Sequence, residues 1–158
     1  MNNENTQTAD GKAKFQEATI APMHTCEHIV NRTMVNMFGC GRSVSAHIER
    51  KKSKLDYRLP QTLTEEEIKH VEDTVNEVIS RNLPVTAEFI SIEEAAKRFD
   101  LNRLPDGASD TVRVVKVGDY DDCLCIGQHV ENTSEIGTFK IISYDYADGI
   151  FRIRFKLL

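Results

Sequence analysis

Thr138-Phe139-Lys140-Ile141-Ile142-Ser143-Tyr144-Asp145-Tyr146, then Ala147-Asp148-Gly149, then Ile150-Phe151-Arg152-Ile153-Arg154-Phe155-Lys156-Leu157: this stretch decides the fold class. In its second half apolar residues alternate with Arg152, Arg154 and Lys156, the period of a strand with one buried face. Asp148-Gly149 supplies the turn that hairpins favour. The stretch therefore predicts an antiparallel hairpin. Upstream, Thr111–Val117 also alternates, and Cys123 and Cys125 share one face of an extended segment. Val44–Glu49 and Lys54–Leu59 read as two further strands around a basic turn.

The rest of the chain has a helical period. Pro22 suits a first helical position, and Ile29, Val30, Met34, Met37 and Phe38 recur at three-to-four spacing before Gly39 stops the pattern. Thr64 with Glu67 forms a capping box for a helix reaching Asn82, whose apolar stripe is Ile68, Val71, Val75, Val78 and Ile79. Pro84–Ile90 reads as a strand, Ser91 with Glu94 caps a short helix, and Pro105-Asp106-Gly107 is a turn signature. Helices dominate the first half and strands the second, with no βαβ rhythm. The expected class is α+β, a mainly antiparallel sheet packed with helices in a single two-layer domain.

The 158 residues carry a net charge of −5 and 40% hydrophobic residues, ordinary for one globular domain. No run approaches the length of a membrane span. Met1–Lys14 is polar and has no apolar core, so residues 1–20 are expected to be a disordered polar tail, not a signal peptide, with the domain proper at 21–158. The expected compartment is the cytoplasm, where cysteines stay reduced and unusual placement points to metal or reactivity. The negative balance argues against a non-specific nucleic-acid coat. Basic residues nevertheless cluster: Arg42, Arg50, Lys51, Lys52, Lys54 and Arg58 form one patch able to meet a phosphate backbone, or simply a solvated face.

Five His and four Cys are present, and many of them stand in two spacings. His24-Thr25-Cys26-Glu27-His28 lies on the expected first helix, where His24 and His28 share a face one turn apart. Cys125-Ile126-Gly127-Gln128-His129 pairs a thiol with an imidazole at the same offset. Three imidazoles and one thiolate suit tetrahedral zinc, so the two spacings predict one split metal site. Cys26 should point away from that face. Glu27 precedes the second His instead of following the first, and is expected to be a solvent-exposed carboxylate. His47 and His70 are expected to be bystanders.

The chain resembles the editing domain of alanyl-tRNA synthetase and its freestanding AlaX relatives, and more distantly the second additional domain of threonyl-tRNA synthetase. The resemblance rests on His24–His28, on Lys54-Leu55-Asp56-Tyr57, and on Val75-Asn76-Glu77-Val78-Ile79 with Asn82-Leu83-Pro84-Val85. It continues through Arg113-Val114-Val115, Gly118-Asp119-Tyr120, Cys125–His129 and Asn132-Thr133-Ser134-Glu135-Ile136-Gly137. It implies a zinc-dependent hydrolase, acting in trans, that cleaves serine or glycine from alanine tRNA. By position, His24, His28, Cys125 and His129 would be the zinc ligands, with Thr25, Gln128 and Thr133 as a catalytic polar shell or as local support. The tRNA would meet Arg42, Arg50, Lys51, Lys52 and Lys54. Where the family commonly has two glycines and a threonine, this chain has Ile126, Gly127 and Gln128. The competing expectation is a non-catalytic, zinc-containing tRNA- or aminoacyl-binding module of the same fold.

Overall fold

A computed structural model describes the backbone of residues 3–99 and 110–158, with side chains from Ala18 onward in those ranges. The expected turn Pro105-Asp106-Gly107 and most side chains of the expected polar tail lie outside the described residues. The first helix, α1, spans Asn3–Phe38 and ends at Gly39, whose φ of +65° is cheap only for glycine. Pro22 therefore falls inside the helix and does not open it. The helix continues past the backbone donor that proline lacks.

Two antiparallel sheets follow. The larger has the order β1 (Ser45–His47), β2 (Ser53–Arg58), β7 (Ile150–Leu157), β6 (Phe139–Ala147). Asp148 and Gly149 both have positive φ, 53° and 79°, so the β6–β7 turn is the hairpin type their sequence predicts. The smaller sheet has the order β3 (Val85–Ser91), β4 (Thr111–Val117), β5 (Asp121–Leu124). The class is α+β as expected, with the strands divided between two sheets.

Helix α2 (Glu65–Ser80) begins with the expected reciprocal bonds between Thr64 and Glu67. Its five apolar stripe residues are buried against α1 and the inner face of the larger sheet, with Met23, Ile29, Met34, Leu55, Tyr57, Phe139, Phe151 and Phe155. α2 also covers part of the outer edge of β6. Asn76 accepts from the Phe139 amide and donates to its carbonyl, and Glu72 accepts from the Ile141 amide, so these edge groups are satisfied by a helix.

Strand β4 is buried on both faces. Val112 and Val114 pack with Ile90 and with Ala95 of α3 (Ile92–Arg98), while Val117 joins the main core. The opposite face of β4 carries Arg113 and Val115 toward α1, which packs on β4 and β5. This packing sets the end of β5 against the middle of the first helix, where the two ligand spacings meet.

Candidate metal centre

His24 and His28 project from one face of α1, and Cys125 and His129 from the loop that leaves β5. Their four donor atoms lie within 4.8 Å of one another, a group able to hold a metal ion. The Cys125 Sγ is 3.4 Å from His24 Nε2 across 101 positions of chain, and 3.4 Å from His129 Nε2. Bonds of about 2.3 Å to sulfur and 2.0 Å to nitrogen at tetrahedral angles put such atoms about 3.5 Å apart. The observed spacing fits that shell.

Two of the three imidazoles are held by their other nitrogen. His24 Nδ1 donates to the Gln128 carbonyl at 3.3 Å, and His129 Nδ1 stands 2.9 Å from the Thr25 hydroxyl, which also accepts from the Val130 amide. The buried Nδ1 of His28 has no hydrogen bond, but the Asp121 carboxylate lies 3.6 Å away. The rings of His24 and His129 turn Nε2 toward the thiol, the arrangement in which a ligand's outer nitrogen fixes its orientation.

Asp121 is itself fixed. Arg32 Nε donates to it at 2.9 Å, and Arg42 donates twice, at 2.8 and 3.2 Å. Burial opposes its ionisation, but His28 and Arg42 beside it outweigh this and hold the carboxyl pKa at about 2. For Cys125 burial likewise opposes the thiolate, yet His129, His24 and His28 pull its pKa down to about 3. The donor set is a ready thiolate and three imidazoles.

The loop between the last two ligands is shaped by its neighbours. Arg113 donates to the carbonyls of Cys125 and Gly127, at 3.1 and 2.7 Å. Gly127 lies so close to the His24 ring that no side chain would fit there. Ile126 is 81% exposed and Gln128 is exposed, so the two residues that depart from the family pattern stand at the rim. Thr133 is buried four residues beyond His129, donating to the Ile79 carbonyl and accepting from the Leu83 amide. Thr25 thus contacts a candidate ligand, whereas Thr133 ties the end of α2 to the segment after the loop.

Beside the ligands is a cavity of about 280 Å³, lined by Glu27, Asn31, Arg42 and Val44 among others. Two expectations change here. Glu27 is not solvent-exposed: its side chain keeps only 13% exposure and lies 3.7 Å from His24 Nε2. Three residues along a helix is nearly a full turn, so Glu27 shares the ligand face. Arg42, grouped by sequence with the basic patch, is turned inward onto Asp121. Arg50, Lys51 and Lys52 do sit exposed in the turn between β1 and β2. Cys26 points into the core, where burial raises its thiol pKa. Sequence reasoning missed Asp121 and Arg113; their place beside the ligands comes from the pairing of β3, β4 and β5.

Residues 112–154 match the family described as the threonyl and alanyl tRNA synthetase second additional domain. The alanine–tRNA ligase of Fervidobacterium nodosum is 40% identical over 121 residues, 76% of this chain and 14% of that protein. That of Acetivibrio thermocellus is 36% identical over 142 residues, 89% of this chain and 16% of the ligase. The ligase of Treponema denticola is 34% identical over 146 residues, 91% of this chain and 24% of that protein. The chain thus spans a quarter or less of these relatives' length. With three quarters or more of its own length aligned to each, it is an editing-type domain related to the alanyl-tRNA synthetases.

Proposed function

We propose that the protein is a zinc-dependent deacylase that hydrolyses the ester between serine or glycine and the 3′ end of alanine tRNA, in the cytoplasm. The observation that carries this reading is the convergence of His24, His28, Cys125 and His129 beside an open cavity in a chain related to alanyl-tRNA synthetases. A zinc ion there would act as a Lewis acid toward the ester. The thiolate and three imidazoles match its preferred donors, and alkaline-earth ions prefer oxygen.

The protein's own share is binding and orientation. An aminoacyl ester is already activated, so a positioned water and a fixed substrate suffice for useful rates. Thr25 and the Gln128 carbonyl hold two of the imidazoles, the Asp121 carboxylate lies beside the third, and Arg113 holds the loop that carries Cys125. The exposed Arg50, Lys51 and Lys52, with Lys54, offer charge to the tRNA backbone.

The test is to incubate zinc-loaded protein with alanine tRNA carrying serine, glycine or alanine, and follow ester loss beside a Cys125→Ala control. Loss of serine or glycine, with alanine spared and the control inactive, is the expected result. A second reading rests on one feature: four protein donors complete a tetrahedral zinc, as in structural sites. Bound zinc with no hydrolysis of any of the three would favour this non-catalytic binding module.

A further inference from the structure

Glu27 is the one carboxylate that lines the cavity beside the ligands. Asp121 is saturated by Arg32 and Arg42, and Arg42 spends both of its terminal nitrogens on Asp121. The thiol of Cys125 belongs to the ligand set. Glu27 makes no hydrogen bond among the described residues: its nearest charged partner is His24 Nε2 at 3.7 Å, and His28 and Arg42 act on its charge from further off. That nitrogen is the one turned toward the other ligands, and a metal-binding nitrogen has no proton to give. With the site filled, Glu27 has positive charge nearby but still no hydrogen-bond donor among the described residues, and it stands mostly buried on the wall of a cavity of about 280 Å³.

A mostly buried carboxylate oxygen that accepts no hydrogen bond favours a ligand able to donate one. The cavity is small, and Arg42, the cation facing it, is already committed. We propose that Glu27 recognises the α-ammonium group of a small aminoacyl substrate, setting a preference for a free amino group at this site. The inference rests on the deacylase reading for its substrate class and adds the residue that selects it. Ammonium to carboxylate is a charge-assisted pair, the strong form of hydrogen bond, and here it would form partly out of water.

The test uses the zinc-loaded full chain and two probes that it cannot hydrolyse as esters: 3′-glycylamido-3′-deoxyadenosine and its desamino counterpart 3′-acetamido-3′-deoxyadenosine. Calorimetry should show the wild type binding the amino form about tenfold tighter or more, the size of a contact to a charged group. Glu27→Gln, compared with its site filled as confirmed by metal analysis, should bring the ratio close to one. Wild-type protein that binds both probes equally would overturn the inference and leave the deacylase reading standing. So would a Glu27→Gln protein that keeps the wild-type preference, even if it hydrolyses esters more slowly. Wild-type protein that binds neither probe would remove the substrate class itself, and the inference with it.

Discussion

A methyl group on Gly127 would overlap Cε1 of His24 and stand 2.6 Å from its Nδ1. The approach links a loop residue with no chemistry of its own to a candidate ligand on the first helix. Gly127→Ala should push the His24 ring out of its place and break its bond to the Gln128 carbonyl. Zinc affinity in chelator competition should fall by about tenfold or more, the scale of losses when a ligand's support is removed. The thermal midpoint of metal-free protein should move little, because the loop lies at the rim.

Asp121 faces the unpartnered Nδ1 of His28 and neutralises two arginines. Asp121→Asn keeps the shape and removes the charge. Zinc affinity should drop by about 10–100-fold. Breaking a buried charge cluster from one side costs about 3–5 kcal/mol, and here about 3, since Arg32 and Arg42 keep partial exposure. Urea unfolding of the metal-free protein measures the second effect separately from the first.

Asp56 pairs through two bonds with Arg152 across β2 and β7, at 2.7 and 2.9 Å. That hydrogen bonding lowers the Asp56 pKa against the opposing effect of burial. A depressed carboxyl contributes stability above its unfolded value near 3.9, and the contribution fades as pH falls through the folded value. Asp56→Asn should therefore unfold at lower urea than wild type at pH 7. The gap should narrow steadily on acidification below about pH 4. A gap independent of pH would assign the loss to packing.

Arg50, Lys51 and Lys52 extend into solvent from the β1–β2 turn. Reversing their charge to Glu should weaken tRNA binding in a filter assay. The slope of log K against log salt should flatten by about one for each phosphate the turn no longer neutralises. Hydrolysis of a minimal aminoacyl-adenosine ester, too short to reach the turn, should be unchanged.

Much of the site is written in the chain because its parts are local. His24 and His28 fall one turn apart, Cys125 and His129 share a short loop, and Thr64 with Glu67 announces the helix that packs behind α1. Glu27 is easily misplaced when only its order relative to the histidines is weighed. At about 100° per residue, a position three beyond His24 returns to within about 60° of it. Arg42 and Asp121 are opaque for another reason. Arg42 precedes by eight positions the basic residues Arg50, Lys51 and Lys52 that turn outward, and only the packing of α1 against β5 brings a buried carboxylate to it. The second sheet is equally hidden: β4 buries Val112 and Val114 on one face and Val115 and Val117 on the other, so its alternation names no single inside.

The four donors come from the first helix and from a loop 101 positions later. An ion held by both acts as a clasp on a long loop of chain, and loops of that length cost the unfolded state most when closed. Such an ion present at about a hundred times its dissociation constant would add about 2.7 kcal/mol to stability. Removing it would release the helix from the strand end before the rest of the fold gives way. The same clasp cannot close on a growing chain until the loop after β5 has been made. Half-made copies would carry neither the ion nor its chemistry.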